Sequence, residues 1–190
     1  LNKLNIKYLI KINPRRNQLF KKLIALITSF FIVEQVASAN EANGDKILLN
    51  TSKGEVIINL MPEIAPVHVA RIVELVKSGF YDGVIFHRII PGFMAQTGDP
   101  KGNGTGGSGT NLKAEFSDYK YINGTVGMAR TMDPNSADSQ FFICFDGCGH
   151  LTGQYTVWGQ VETGMEVVEA LNVGEPPADP DKILSAKIIN

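Results

Sequence analysis

The stretch FHRIIPGFMAQTGD, residues 86–99, places one arginine within a run of bulky apolar side chains. The segment from Val84 to Ile90 is rich in β-branched and aromatic residues and ends at a Pro-Gly pair, which predicts a strand followed by a turn. Side chains alternate between the faces of a strand, so His87 and Arg88 are expected on opposite faces. A guanidinium is rarely buried without a partner, and the face of Arg88 is therefore expected to be the outward one. On the other face, His87 is interpreted as a hydrogen-bonded core histidine and not as a catalytic one.

Similar short β-rich runs, separated by turn residues, lie on both sides of this stretch. From Val69 onward, apolar residues at i, i+3, i+4 and i+7 predict a helix that Gly79 ends. Thr163 and Glu166 have the spacing of a capping box and predict a short helix through Leu171. Many short strands with few helices predict a closed or nearly closed β-barrel, because closure removes exposed sheet edges. The predicted strands are a hairpin over residues 46–60 and the runs 84–90, 125–130, 140–145, 155–161 and 182–189.

The glycine-rich segment 98–110 contains a literal G-x-G-x-x-G at Gly102, Gly104 and Gly107. A dinucleotide site needs a helix directly after these glycines, whereas SGTNLKAEF follows here without a helical period. No G-K-[ST] sequence is present either. The segment is therefore predicted to be a turn-rich surface loop and not a phosphate cradle.

Cys144, Cys148 and His150 offer three soft metal ligands within seven residues. Their spacing is not one of the usual structural zinc patterns, and no second cluster supplies a fourth ligand. Neither a metal nor another cofactor is expected. Two alternatives stay open for the cysteines. They could form a disulfide in an oxidising compartment, or Cys144 could be a small buried thiol, the commoner role in an apolar strand.

The first 39 residues differ in composition from the remainder. They hold seven Lys and Arg residues against Glu34 alone, then the apolar run LIALITSFFIV, then Ala37 and Ala39 as small residues before a cleavage site. This order predicts a secretory signal peptide over residues 1–39, cleaved after Ala39, and the apolar run is shorter than the ~20 residues of a membrane-spanning helix. An uncleaved signal anchor or a buried helix is the alternative. Cleavage would leave a short tail, residues 40–45, before a domain over residues 46–190 in an exported, periplasmic protein without stable membrane insertion.

Outside the first 39 residues the formal net charge is −7, because eighteen acidic and eleven basic residues remain. Such a domain lacks the basic footprint of a nucleic-acid binder. The chain has three histidines, none beside a pattern typical of a nucleophilic triad, and no paired carboxylates stand out. The sequence therefore contains no recognisable set of residues for hydrolysis, phosphoryl transfer or redox chemistry. What remains is Arg88 among aromatic, thioether and amide side chains, a combination suited to gripping an apolar group on an extended peptide.

Five segments, FHRIIPGFMAQTGD, GNGTGG, GTVGMAR, SQFFICF and LTGQYTVWGQV, occur in the order and at the spacing of the cyclophilins. The chain resembles that family over nearly all of residues 46–190. The resemblance implies a closed eight-stranded antiparallel barrel capped by two helices. It also implies a peptidyl-prolyl cis-trans isomerase, similar to exported bacterial members, that acts as a monomer on proline-containing polypeptides and assists the folding of exported proteins.

The resemblance assigns roles to eleven residues. Arg88 takes the position of the family's catalytic arginine. The other ten line the substrate groove. The proline pocket consists of Phe93, Met94, Phe142 and Leu151, and the pair of amides is Gln96 and Gln140. Ala129 and Arg130 form the backbone segment that pairs with the peptide, and His150 and Tyr155 are the wall and rim positions.

Three of these positions depart from the pattern common in eukaryotic members. Arg130 stands where asparagine is usual, His150 where tryptophan is usual and Tyr155 where histidine is usual. The change at Arg130 matters little if that contact is made through the backbone. Tryptophan at position 150 is, in the family, a principal contact for the cyclic peptide cyclosporin, so the resemblance implies weak cyclosporin binding here.

The implied reaction fits the residue inventory, because rotation about an amide needs no nucleophile, metal or base. The peptide bond resists rotation by ~18–20 kcal/mol, and a guanidinium aimed at the nitrogen of the twisted amide stabilises that state over the planar one. Two rival hypotheses are a proline-peptide-binding chaperone without significant turnover and a secreted β-barrel whose Arg88 only solvates one face. The complete set of groove residues favours the isomerase.

Overall fold

The computed structural model describes residues 46–190, so the predicted signal peptide and the tail at 40–45 lie outside the described residues. Within that part of the chain, no helix is long and apolar enough to cross a bilayer. The elements in chain order are β1 (Lys46–Thr51), β2 (Gly54–Leu60), α1 (Pro66–Lys77), β3 (Arg88–Ile90), β4 (Met94–Thr97), β5 (Thr125–Met128), β6 (Phe141–Cys144), a 3-10 helix (Asp146–Leu151), β7 (Val157–Thr163), α2 (Met165–Glu169) and β8 (Ile183–Ile189).

The eight strands form one curled antiparallel sheet in the order β3-β4-β6-β5-β7-β2-β1-β8. The first two are the predicted hairpin, with Thr51 opposite Gly54 at its turn. Alternate side chains of each strand face a core that contains Trp158, Ile58 and Ile143, each fully buried. The hydrophobic core thus joins the sheet to the apolar face of α1.

The sheet is open, and the predicted closed barrel is wrong. Strands β3 and β8 lie at its two ends and do not pair with each other as strands. Isolated bridges close part of the gap, from Ile85 to Lys182 and from Ile89 to Gly174. The segment 172–182 between α2 and β8 contains three prolines, which have no N–H to donate, so it cannot extend a regular ladder beside β3.

Helix α1 confirms the prediction from apolar spacing, with Val69, Ile72 and Val76 buried. Its N-terminus is capped by a residue that is distant in the sequence. The carboxylate of Glu115 accepts hydrogen bonds from the backbone N–H of Val67 at 3.2 Å and of His68 at 3.0 Å, and from the Nδ1 of His68 at 2.7 Å. Because no residue next to the helix caps it, Glu115 supplies the oxygen that the first turn requires.

Two local predictions fail. Strand β3 begins at Arg88 and not at Val84, and Phe86 is buried, although alternation along the predicted strand 84–90 would give it the same face as Arg88. The backbone N–H of Phe86 donates to Asp181 in the irregular segment at 2.8 Å, so alternation holds only from His87 onward. The predicted capping box is also absent from α2, which begins after Gly164 without a side-chain cap because Thr163 is the last residue of β7.

Candidate active site

Four residues lie side by side across one end of the sheet. The strand register places Arg88 of β3 opposite Gln96 of β4, Gln96 opposite Phe142 of β6, and Phe142 opposite Gly127 of β5. Directly opposed residues of antiparallel strands project from the same face, so the guanidinium, the amide and the aromatic ring form one row. Glycine is required at position 127, because a Cβ there would lie 2.8 Å from Cζ of Phe142.

A cavity of about 120 Å³ opens beside this row. Its apolar floor and walls include Met94, Phe142 and Leu151, which are nearly fully buried. Nine of the eleven residues expected from the sequence line it together: Arg88, Phe93, Met94, Gln96, Ala129, Arg130, Phe142, Leu151 and Tyr155. The other two, Gln140 and His150, lie beside it.

Arg88 lies at the rim of the cavity with 37% of its side chain exposed, facing outward as the sequence predicts. Its Nε donates a hydrogen bond to Oε2 of Glu175 at 3.0 Å, and its Nη1 lies 4.0 Å from Sδ of Met94. Glu175 belongs to the segment between α2 and β8, and no pattern in the sequence predicts it at this site. The only signal in the sequence was an acidic residue before Pro176-Pro177, which has no recognisable meaning until the segment is placed beside β3.

The two amides of the groove are bonded to each other. Nε2 of Gln96 donates to Oε1 of Gln140 at 2.9 Å, and Nε2 of Gln140 donates to the carbonyl oxygens of Gly106 at 2.8 Å and Gly104 at 3.1 Å. Gln140 therefore lines a second, adjoining cavity of about 520 Å³ together with the glycine-rich loop. Arg130 and Ala129 border both cavities, and the N–H of Ala129 donates to the Gln140 carbonyl at 2.9 Å.

The glycine-rich loop is organised around the buried carboxylate of Asp99. Backbone N–H groups of Lys101, Asn103 and Gly104 donate to it at 2.7, 3.0 and 2.6 Å. Burial acts to raise the pKa of Asp99, but these backbone hydrogen bonds outweigh it and the pKa is lowered. The donors that would hold a phosphate are occupied by a carboxylate of the chain itself, in agreement with the predicted surface loop.

His87 lies beneath this loop, with no hydrogen-bond partner for either ring nitrogen among residues 46–190. The expected core position is correct and the expected hydrogen bond is not formed. Burial lowers the pKa of His87, since desolvation disfavours the imidazolium; Asp99 opposes that shift and Arg88 adds to it.

His150 does not line the cavity of about 120 Å³. It belongs to the 3-10 helix, and its ring stacks on the outer side of Phe93 with centroids 5.6 Å apart. A disulfide joins Cys144 of β6 to Cys148 in the same 3-10 helix, so the interpretation of Cys144 as a free thiol is wrong. Sγ of Cys148 also lies 3.0 Å from the carbonyl oxygen of Phe93. The disulfide therefore supports the wall formed by Phe93 and His150.

Comparison with known proteins agrees with this geometry. The sequence profile of the family described as cyclophilin type peptidyl-prolyl cis-trans isomerase/CLD matches residues 46–188. A probable peptidyl-prolyl cis-trans isomerase from Brucella suis biovar 1 (strain 1330) is 45% identical over 185 residues, covering 86% of this chain and 94% of the relative. A peptidyl-prolyl cis-trans isomerase from Synechococcus elongatus is 43% identical over 144 residues, covering 75% of this chain and 94% of the relative.

Solved structures give the same result for the fold. The cyclophilin AquaCyp293 from Hirschia baltica superposes with a TM-score of 0.66 at 33% identity, over 75% of this chain and 73% of the other. A cyclophilin-type isomerase from Cryptosporidium parvum, crystallised in the presence of the dipeptide Ala-Pro, superposes with a TM-score of 0.72 at 30% identity, over 76% of this chain and 99% of the other. The chain belongs to the cyclophilin family and is a peptidyl-prolyl cis-trans isomerase.

Proposed function

We propose that Arg88 is the catalytic residue of this isomerase and that the enzyme accelerates X-Pro rotation in exported proteins during their folding. The observation that carries the catalytic assignment is the position of the Arg88 guanidinium, at the rim of an apolar cavity walled by Met94 and Phe142. An isomerase needs a place for the proline ring and a donor beside the nitrogen of that ring. The groove offers both within one strand row.

The chemistry follows from the loss of amide resonance. When the X-Pro bond twists, the proline nitrogen becomes pyramidal and its lone pair becomes available as an acceptor. A guanidinium N–H aimed at that nitrogen stabilises the twisted state more than the planar ground state, which lowers the barrier. The apolar cavity holds the ring, and Gln96 is placed in the same row to hydrogen-bond the substrate backbone. Uncatalysed exchange takes tens to hundreds of seconds, slow enough to limit folding.

A proline-binding chaperone without turnover is the weaker hypothesis. Binding requires the apolar cavity and the two amides, and it gives no reason for a guanidinium at the cavity rim. The Cryptosporidium parvum relative was crystallised in the presence of the dipeptide Ala-Pro. That observation concerns the relative, and for this chain it supports the proposal that the cavity accepts a proline ring.

The catalytic assignment is tested by Arg88→Ala, Arg88→Lys and wild type in an isomerisation assay on a short X-Pro peptide. Arg88→Ala should lower the rate by about two to three orders of magnitude, equivalent to roughly 3–4 kcal/mol of transition-state stabilisation. Arg88→Lys should recover little, because a point charge lacks the planar fork of arginine. Binding of the same peptide, followed by NMR titration, should change much less. An unchanged rate in Arg88→Ala would refute the assignment.

The proposed role in exported proteins is supported by the basic, apolar and small-residue order of residues 1–39. Protein recovered from its native host should begin at or near Asn40 and should be found in the periplasmic fraction. N-terminal sequencing that finds residues 1–39 intact on a cytoplasmic protein would overturn this part of the proposal and leave the catalytic assignment untouched.

A further inference from the structure

The segment 172–182 brings a carboxylate to Arg88 through backbone pairing. Ile89 and Gly174 exchange two hydrogen bonds, with the Ile89 N–H donating at 2.9 Å and the Gly174 N–H at 3.2 Å. Arg88 and Glu175 are the next residues on either side of this bridge, and their side chains meet there, with Nε of Arg88 3.0 Å from Oε2 of Glu175. The carboxylate of Glu175 therefore lies beside the row of Arg88, Gln96 and Phe142.

The same segment is held rigidly enough to place that carboxylate. At its base the carboxylate of Asp181 accepts the N–H of Asn172 at 2.8 Å and the hydroxyl of Ser52 at 2.6 Å. At its turn, Gly174 has φ of +151°, and a Cβ there would lie 2.6 Å from Cα of the buried Pro177. Only glycine fits this backbone without a shift, so the turn presents Glu175 in one place.

The contact with Glu175 engages one nitrogen of the Arg88 guanidinium, Nε, and leaves the two terminal nitrogens on the other side of Cζ. Nε donates to Oε2 of Glu175 at 3.0 Å, and Glu175 is not among the residues that line the cavity. Nη1 lies against Sδ of Met94, which lines the cavity. The terminal amino groups are left for a substrate while Nε is engaged, which is the arrangement that a pre-oriented donor needs.

The pair has little value as a stabilising ion pair. The side chains of Arg88 and Glu175 are 37% and 52% exposed, and ion pairs this exposed contribute little to folding. What the contact does is select a rotamer of a long, flexible side chain. Without the contact, two side-chain torsions of Arg88 are free, each with three staggered wells. The population of the productive rotamer then falls about nine-fold.

We propose that Glu175 is a positioning residue of the isomerase, holding the Nε of Arg88 so that its terminal amino groups point at the substrate. This inference rests on the catalytic role of Arg88 proposed above. It predicts an effect on kcat with little effect on KM, because the pair orients the donor for the transition state and does not form the proline cavity.

The test compares Glu175→Gln with wild type and two matched controls. Glu162→Gln removes a comparably exposed ion pair, between Glu162 and Lys46 at 2.7 Å, whose two residues do not line the cavity. Asp179→Asn removes a negative charge from the same segment. We expect kcat of Glu175→Gln to fall about ten-fold with KM within about two-fold of wild type, and both controls to keep wild-type values. The melting temperatures of all four proteins should agree.

Three further measurements make the result specific. In the Arg88→Ala background, Glu175→Gln should add no further loss, because the two residues act as one unit. The Nε–Hε resonance of Arg88 in an NMR spectrum should be resolved in wild type and shift in Glu175→Gln alone, a signal that does not depend on turnover. Rising salt should lower kcat of wild type and leave Glu175→Gln unchanged, since it screens the exposed pair.

The outcomes separate the two proposals. A full rate in Arg88→Ala would overturn the catalytic assignment. A large loss in Arg88→Ala together with a wild-type kcat in Glu175→Gln would overturn the positioning role alone. An equal loss in Asp179→Asn would also overturn it, because the effect would then be one of general charge.

Discussion

The guanidinium of Arg130 lies over the aromatic ring of Tyr155, with its Cζ 4.3 Å from the ring centroid. Arg130 also donates hydrogen bonds to the carbonyl oxygens of Thr131 at 2.8 Å and Gln154 at 2.9 Å. Tyr155 in turn packs edge-on against Phe142, with centroids 5.8 Å apart. Arg130 and Tyr155, which both depart from the common eukaryotic pattern, therefore form one wall of the 120 Å³ cavity together.

This contact predicts that Arg130 acts on substrate binding through its side chain. Arg130→Ala should free the Tyr155 ring and raise KM for an X-Pro peptide about three- to ten-fold, with kcat within about two-fold, since a cation–π contact at such a site contributes about 0.5–1 kcal/mol and two hydrogen bonds are lost as well. A double-mutant cycle with Tyr155→Leu measures the coupling. Additive effects would show that the two residues act independently.

The position of His150 predicts a weakened response to cyclosporin. Histidine offers less apolar area than tryptophan, and at ~25 cal/mol per Å² a loss of several tens of Å² amounts to about 1–2 kcal/mol. We expect inhibition roughly ten-fold or more weaker than in tryptophan-bearing relatives, with His150→Trp recovering part of it.

Fluorescence provides the internal control for that experiment. Trp158 is fully buried against Phe141, so the wild-type emission should barely respond to the drug, whereas His150→Trp adds an exposed reporter. Equal and tight inhibition of both proteins would show that position 150 does not control the drug site.

The burial of His87 predicts a loss of stability in mildly acidic solution. Because burial lowers its pKa in the folded state, the unfolded chain binds more protons as the pH falls below the ordinary histidine value of about 6.5. The free energy of unfolding should therefore decrease as the pH falls through that value toward the lowered pKa. Urea unfolding of His87→Gln should show a flatter dependence in this window.

Glu115 contributes in a separate window at lower pH. Burial acts to raise its pKa, but hydrogen bonds from the side chain and backbone of His68 and from the backbone of Val67 lower it overall. Its stabilisation is present above the ordinary glutamate value and is lost as the pH falls through the lowered pKa. Glu115→Gln should flatten the unfolding curve there without changing the window of His87. If Glu115→Gln and His87→Gln both flattened the pH dependence of unfolding in the same pH range, the assignment of one window to each residue would be contradicted.

The disulfide predicts redox-dependent stability of the wall behind Phe93. Closing so short a loop as Cys144 to Cys148 stabilises the folded state by about 2 kcal/mol in the chain-entropy account. Thermal unfolding of wild type should shift to lower temperature in dithiothreitol, and the double variant Cys144→Ala, Cys148→Ala should show the same curve with and without reductant. A wild-type thermal unfolding curve that is the same with and without reductant would contradict the prediction.

Local pattern was sufficient for much of the fold. The β1–β2 hairpin, the apolar face of α1 and the strand at Phe141–Cys144 follow from alternation, helical spacing and turn residues, each of which is a property of neighbours in the chain. The residues that line the cavity were expected for a related reason. Most of them lie within a few residues of Arg88, Phe142 or Leu151, in segments whose order matches the cyclophilins.

Contacts between distant segments were decided only by the tertiary structure. No local pattern in the sequence indicates the open edge of the sheet, the stacking of His150 on Phe93 or the pairing of Arg88 with Glu175. Arg88 and Glu175 are 87 residues apart, and their juxtaposition depends on the two hydrogen bonds between Ile89 and Gly174. Residue type and spacing determine which segments form strands and which face is apolar, but the cross-strand register of an irregular segment is set by chain closure and packing, and that register decides what stands beside Arg88.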